Sequence, residues 1–375
     1  MMPHPFLLIR ILALLFAAAV LRYLWIRMRI LLPRRSWFWA GIGYVFLCLG
    51  SVSYRLLPVE SGWLGMSVFA LGGWGIVFLG NWLIVCLILE LGNLVHSGLR
   101  QHWTKPAMLL TIATTAVFFS YGWIHQLHFQ VHHEIVHSQK PMERPLRLAV
   151  ISDVHFDPLF RPSKFDRLLD SLKQQKPDMI LLLGDLTDLS IPDMERMNLD
   201  LRVRRLHAPL GVWGITGNHE AYRLSRDPDL LSWMRKQGIR LLVDESVCLP
   251  QLCLTGRMDR QFATHQSVQR KSLPQLVDSA MLHQHPWIVL DHEPLGLDSL
   301  DRPVGFPLPD LGLSGHTHAG QFFPWTLVIH LFWPLANGRG ELDGIPWITS
   351  SGFGQWGPPV RVGCNTELLI VDLEP

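Results

Sequence analysis

Four apolar stretches crowd the first third of this chain, at residues 6–26, 37–54, 66–89 and 107–124. Each is close to the ~20 residues a helix needs to cross ~30 Å of hydrocarbon. That feature divides the chain into a helical membrane bundle over 1–125, a linker over 126–145 and a globular domain over 146–375. Composition agrees with the division. Only 17% of the 375 residues are charged, against about 25% in an ordinary soluble domain, and the deficit is concentrated in the first third.

The first stretch is the least uniform, because Arg10 and Arg22 lie inside it or at its edges, where long side chains can snorkel to the interfaces. Ala17-Ala18-Ala19 also offers the small residues of a signal-peptide cleavage site. Cleavage there would leave Arg27, Arg29, Arg34 and Arg35 on the outer side, against the tendency of basic loops to stay in the cytoplasm. Those four arginines follow the first stretch, and Arg100 and Lys105 follow the third. The second loop has only Arg55 and Glu60. The asymmetry predicts cytoplasmic first and third loops, and a globular domain on the extracytoplasmic side of a plasma or inner membrane. Asn81 and Glu90 are the notable polar groups of the third stretch. They make no polar path, so the bundle reads as an anchor in the bilayer and not as a transporter.

The linker carries His125, His128, His132, His133 and His137 at spacings that fit no closed metal site. It reads as a solvated connection, with 130–136 able to extend as a lead-in strand. A net charge of +2 without a long basic run gives no reason to expect nucleic acid as a partner.

Beyond the linker, apolar β-rich runs recur at 146–152, 179–183, 212–216, 240–247, 252–256, 287–291, 311–314, 347–350 and 368–373. Amphipathic helical segments fall at 164–175 and 228–237. Strands and helices that alternate early, with mostly strands later, imply mixed sheets covered by helices. The polar residues then gather at strand ends. The first run ends in Asp153-Val154-His155, the second in Gly184-Asp185-Leu186-Thr187-Asp188 and the third in Gly217-Asn218-His219-Glu220. Later runs end in Asp291-His292 and in Gly315-His316-Thr317-His318. Taken singly, each is a turn or a cap. Ligands of α/β sheets collect beyond the carboxyl ends of the strands, so together they place carboxylates, an amide and imidazoles on one rim.

That donor set suits Mn, Fe, Zn or Co. It is too large for one tetrahedral site and sufficient for two divalent ions sharing a carboxylate, as in sites that displace groups in line at phosphorus.

The ordered series D-x-H, G-D-x-x-D, G-N-H-E, H and G-H-x-H resembles the calcineurin-like metallophosphoesterase family over about residues 147–373. LDHEPLGL, LSGHTHAGQFFP and SSGFGQWGPPVRVG are similar to its membrane-anchored branch, which includes the transmembrane proteins with a metallophosphoesterase domain. The resemblance implies an N-terminal α-helical membrane bundle plus an α/β domain built as a four-layer α/β/β/α sandwich of two mixed sheets. It implies a first metal held by Asp153, His155 and His318, and a second by Asn218, His292 and His316, with Asp185 bridging them. His219 would lie beside the scissile phosphate without ligating, and Asp188 and Glu220 would orient ligating or catalytic histidines.

Where many relatives have glycine, this chain has Asp157, which reads best as a turn cap. Arg257 and Arg260 are candidate phosphate clamps, with Arg361 a weaker one. The loop 322–333 is unusually apolar, suited to covering the sheet or to dipping into the bilayer surface. Cys248 and Cys253 can face each other across a hairpin and form a disulfide if the domain lies outside, leaving Cys364 single.

The expected function is a membrane-anchored dimetal phosphoesterase acting on phosphomonoester, phosphodiester or pyrophosphate bonds of a lipid or envelope-related substrate. One alternative is a hydrolase like the UDP-2,3-diacylglucosamine diphosphatases of lipid A synthesis, whose substrate is cytoplasmic. The other is an inactive membrane scaffold or metal sensor.

Overall fold

The structure, a computed structural model, describes residues 4–29, 32–56, 63–297 and 304–375. Glu60 of the second loop lies outside them. The chain forms two units, Met1–Tyr121 and Gly122–Pro375.

The first unit contains helices α1 (His4–Arg29), α2 (Trp37–Leu56), α3 (Trp63–Val95) and most of α4 (Leu99–His125). Within them, Ala70–Val95 and Leu99–His125 are each long and apolar enough to cross a membrane. Leu24, Tyr44, Phe78, Trp82, Cys86 and Met108 pack together as its buried centre. Asn81 and Glu90 of α3 are both satisfied within the unit. Asn81 donates to Thr115 Oγ1 at 3.1 Å. Glu90 pairs with Arg27, accepts from Tyr23 at 2.8 Å and meets Arg100 at 3.0 Å. Arg27 ends α1 and Arg100 opens α4, so one carboxylate gathers the two basic loops to the same end of the bundle.

The second unit holds two six-stranded mixed sheets. Sheet one comprises β1 (Phe129–His137), β2 (Leu146–Ile151), β3 (Met179–Leu182), β4 (Val212–Gly214), β5 (Arg240–Leu241) and β12 (Thr366–Glu374), in the order β1-β12-β2-β3-β4-β5. Sheet two comprises β6 (Glu245–Cys248), β7 (Cys253–Gly256), β8 (Trp287–Leu290), β9 (Leu311–Ser314), β10 (Gly338–Leu342) and β11 (Ile345–Thr349), in the order β10-β11-β9-β8-β7-β6. Strands β2 to β5 run parallel to one another, as do β7 to β9. Parallel strands are covered on both faces, which is why they read as nearly unbroken apolar runs.

Successive side chains point to opposite faces. Leu148, Val150, Leu181 and Leu369 therefore meet Leu254, Ile288, Leu290 and Leu313 between the sheets. Ala149, Ile151, Ile180 and Ile370 face outward, against α5 (Pro162–Gln175), α6 (Ile191–Arg196), α7 (Leu199–Val203) and α9 (Leu230–Lys236). Helix α8 (Asn218–Leu224) caps the end of β4. On the far side Trp287, Val289, Ile345 and Trp347 pack with Leu273 and Leu282 of α11 (Leu273–Leu276) and α12 (Ser279–Leu282), which follow α10 (Arg260–Gln266). The layers are α/β/β/α, and a last short helix, α13 (Trp325–Val328), follows β9.

Two elements differ from the sequence expectations and a third extends one: residues 129–137, inside the expected linker, form the edge strand β1 over the expected lead-in strand, paired in parallel with β12 along its whole length. Its histidines sit on an edge that polar side chains protect from further pairing. The expected strand 240–247 is two strands in two sheets, divided at Asp244, whose φ is 52°. The Asp244 carboxylate accepts from the backbone N–H groups of Met258 and Lys271 at 2.9 and 2.8 Å and pins the crossover. Strand β10, Gly-Arg-Gly-Glu-Leu, has no apolar alternation to announce it. A turn at Asp343-Gly344, both at positive φ, returns it onto β11.

Candidate metal centre

The loops after β2, β3, β4, β8 and β9 leave the carboxyl ends of parallel strands and converge. Three groups of candidate ligands result: Asp153, His155 and His318; Asp185, His292 and His316; and His155, Asp185 and His219. In each, the potential ligand atoms lie within 4.8 Å of one another.

In the first group His155 Nε2 lies 3.1 Å from His318 Nε2, and His318 Nε2 lies 3.4 Å from Asp153 Oδ1. In the second, His292 Nε2 lies 3.2 Å from His316 Nδ1 and 3.2 Å from Asn218 Oδ1. Asp185 Oδ2 stands between the groups, 3.7 Å from His155 Nε2 and 3.1 Å from His292 Nε2. All seven metal-ligand candidates read from the sequence are thus brought to one centre.

The backbone there is strained. Asp153, His155, Asp185, His316 and His318 all have positive φ, between 45° and 71°. Such conformations persist only where the surroundings over-determine them. Close packing is part of that constraint. A Cβ on Gly315 would lie 1.8 Å from Ser152 Oγ and 2.3 Å from Asp153 Oδ2. Gly184, at φ +91°, would put one 2.5 Å from the Gly217 nitrogen.

The donor chemistry fits cations. His155 Nδ1 faces the Asp188 carboxylate at 3.1 Å, and His292 Nδ1 faces the Leu183 carbonyl at 2.7 Å. Both partners only accept, so in a neutral ring the hydrogen sits on Nδ1 and a lone pair on Nε2. The His292 lone pair points at oxygens of Asn218 and Asp185, 3.2 and 3.1 Å away in a buried site, an arrangement a cation resolves. Arg361 Nη2 donates to His318 Nδ1 at 3.0 Å. A neutral His318 therefore carries its hydrogen on Nε2, and ligation through that atom displaces the proton.

The supporting carboxylates are also in place. Asp188 spans two rings, with Oδ2 on His155 and Oδ1 on His219 Nδ1. Glu220 accepts from the backbone N–H groups of Asp185, Leu186 and Gly217 at 2.8–2.9 Å, tying the loops after β3 and β4 together. The His219 backbone N–H donates to Asp185 Oδ1 at 2.8 Å. Burial lowers the His219 pKa, but Asp188 and Asp185 outweigh it and push it up to about 9. Asp188 is opposed by burial and held well below the ordinary carboxylate range by His219 and His155. Burial and the neighbouring His292 lower His316 to about 3.

Asp157 caps a turn. Its Oδ1 accepts from the Leu159 N–H at 2.7 Å, and Gln355 donates to Oδ2 at 3.2 Å. Burial, with Asp188 nearby, raises it to about 7.

Two of the three arginine candidates, Arg257 and Arg361, are buried within the fold. Arg257 is buried, donates to the Lys271 carbonyl at 3.0 Å and lies 3.5 Å from Asp244, so it braces the crossover. Arg260 is partly exposed and lies 3.8 Å from Glu293. Arg361 is fully buried behind the centre and donates to the carbonyls of His318, Gly354 and Asn365. Sequence reading did not single out Ser152, which donates to Asp153 Oδ2, or Tyr222, whose ring meets His219 at 5.6 Å. Trp333, noticed only as part of an apolar loop, has its ring 4.9 Å from His316.

A family model described as calcineurin-like phosphoesterase matches residues 146–320. The chain is similar to an uncharacterized metallophosphoesterase of Helicobacter pylori, with 31% identity over 62% of this chain and 61% of that protein. It is similar to the transmembrane protein with metallophosphoesterase domain of Danio rerio, with 26% identity over 91% of this chain and 81% of that one. The Bos taurus protein of the same description is 27% identical over 64% of this chain and 56% of its own length. The chain spans about three fifths of the Helicobacter relative.

Proposed function

From the premise that residues 146–320 are a calcineurin-like metallophosphoesterase domain, we propose that this chain is a membrane-anchored hydrolase of phosphomonoester, phosphodiester or pyrophosphate bonds. One observation carries the reading: Asp185 Oδ2 stands between His155 Nε2 and His292 Nε2, at 3.7 and 3.1 Å, where a single carboxylate serves two ion positions. Asp153, His155 and His318 would hold one ion and Asn218, His292 and His316 the other, with Asp185 available to both. Mn, Fe and Zn suit this imidazole and carboxylate set. When bound, such ions supply Lewis acidity at the phosphoryl oxygens and a nucleophilic water at neutral pH.

The residues supply the rest. Asp188 holds a hydrogen on Nδ1 of His219 and fixes that ring at the edge of the centre, beside His155. In the protonated ring Nε2 also carries a hydrogen, which it donates to the leaving oxygen as the ester bond breaks. Glu220 keeps the loops bearing Asp185 and Asn218 in register, so both ion positions stay a fixed distance apart. His219 paired with Asp188 is the arrangement a spent scaffold or metal sensor would have no need to keep.

The anchor favours a lipid or envelope-related substrate. The basic first and third loops favour an extracytoplasmic domain, and the Cys248–Cys253 disulfide is at home in an oxidising compartment. Both count against a cytoplasmic nucleotide-lipid of the UDP-diacylglucosamine type.

The test is hydrolysis of bis-p-nitrophenyl phosphate in Mn²⁺ by the full chain, beside Asp185→Asn and His219→Ala, with p-nitrophenyl phosphate as the monoester control. Cleavage by wild type alone is expected. Failure with Mn, Zn, Fe and Co, while two ions are bound, would overturn the hydrolase reading and favour the scaffold.

A further inference from the structure

The loop after the metal centre carries a row of large apolar side chains that the fold leaves in the open. Phe323, Trp325, Leu327, Leu331 and Phe332 are 48, 51, 66, 81 and 65% exposed. Phe323 precedes α13, Trp325 and Leu327 lie in it, Leu331 lies in the 3-10 turn Ile329–Leu331 that follows, and Phe332 ends that turn. A loop covering the sheet would bury these residues, and water-facing turns do not ordinarily gather five of them.

The backbone says what lies next to this ridge. The Phe323 N–H donates to the Val362 carbonyl at 2.9 Å, and the Val362 N–H to the Gln321 carbonyl at 3.1 Å. One residue earlier, the Arg361 N–H donates to the Gly122 carbonyl at 3.1 Å, and His125 Nδ1 meets the Arg361 carbonyl at 3.2 Å. Gly122 and His125 belong to the last turn of α4, the end of a helix long and apolar enough to span a bilayer. The ridge is thus two hydrogen-bonded segments, ~10 Å at strand spacing, from the last turn of α4. At its other end Trp333 stands edge-on to His316.

We propose that residues 323–332 form a membrane-seating ridge that inserts its apolar side chains into the adjacent leaflet and holds the rim of the metal centre against the headgroups. Its occupant is the lipid bilayer, and the substrate class it selects is a phosphoester borne by a lipid. That second clause rests on the phosphoesterase reading; the seating does not.

The experiment places the photoreactive residue p-benzoylphenylalanine at Leu327 or Leu331 of the full chain. The protein is reconstituted in nanodiscs of phosphatidylcholine and phosphatidylglycerol with a fluorescent-headgroup tracer, then irradiated. Leu109, exposed on α4, is the bilayer control, and Met281, at the opposite end of the sheet from the centre, is the aqueous control. Lipid adducts at 327 and 331 matching those at 109, with none at 281, are expected. Adducts at 109 alone would overturn the proposal, and so would a cross-linked dimer through 327 or 331, which would mark a second copy as the occupant. Bis-p-nitrophenyl phosphate hydrolysis by the same unmodified preparation separates the two readings. Adducts without hydrolysis sink the phosphoesterase and leave the seating; hydrolysis without adducts does the reverse.

Discussion

Replacing Asp188 by Asn tests the proton-donor assignment most directly, because one carboxylate sets the charge of His219. Asp188 is the largest of the influences raising that ring to about 9, against a burial that lowers it from 6.5. An amide keeps the shape and removes the charge. With Asp185 and Glu220 left to oppose burial, His219 falls back toward its ordinary range. A general acid works while protonated, so rate is lost as pH rises through its pKa. At pH 8 the wild-type ring is about nine-tenths protonated; each unit by which the variant falls is worth about 1.36 kcal/mol, and a rate loss of about ten-fold or more is expected. The prediction is that the alkaline limb of the variant lies below that of the wild type. The assay is kcat/KM against pH for an alkyl and a p-nitrophenyl phosphodiester, with metal content measured in each sample because Asp188 also orients His155. The alkyl ester, whose leaving group needs the proton, should show the full loss. The nitrophenyl ester should show little. An alkaline limb that stays put in Asp188→Asn, or equal losses on both esters at full metal occupancy, would refute the reasoning.

Two further outcomes follow from packing. Gly315→Ala drives a methyl to 1.8 Å from Ser152 Oγ and 2.3 Å from Asp153 Oδ2; it should lower stability by about 1–3 kcal/mol and deplete metal, read by calorimetry and elemental analysis. Arg361→Met removes a buried guanidinium that serves three carbonyls and the His318 ring; hydrogen bonds to charged groups are worth about 1.5–3 kcal/mol each, so a loss of at least ~3 kcal/mol is expected in denaturant unfolding, and Arg361→Lys, lacking the fork, should not restore it.

The metal centre was legible because its chemistry is written locally. Parallel strands end at one rim, so an apolar run closed by Asp-x-His or Gly-Asp-x-x-Asp declares both position and donor. Residues acting through distant partners were not legible. Arg257 shows its charge in the sequence but not the Asp244 that turns it inward, and Arg361 shows nothing of the His318 ring 43 positions earlier. Strand β1 was legible only as a lead-in strand within a linker, for another reason. An edge strand needs only one apolar face, and in Phe-Gln-Val-His-His-Glu-Ile-Val-His the polar positions outnumber what a buried strand tolerates. The break at Asp244 was hidden because both halves of 240–247 are β-formers, and an aspartate tolerates positive φ without requiring it.

Arg361 also links the two halves of the functional argument. Its backbone N–H holds the Gly122 carbonyl in the last turn of α4, and its side chain holds the carbonyl and ring of His318. The following residues, 126 and 127, are fastened in the same manner. Lys164, fully buried, donates to the Gln126 carbonyl at 2.6 Å, and Arg167 to the Leu127 carbonyl at 2.7 Å. A flexible tether would need none of these contacts, and a fully buried lysine is costly to keep. Two cations, Lys164 and Arg167, are thus spent on the carbonyls of the two residues that follow α4.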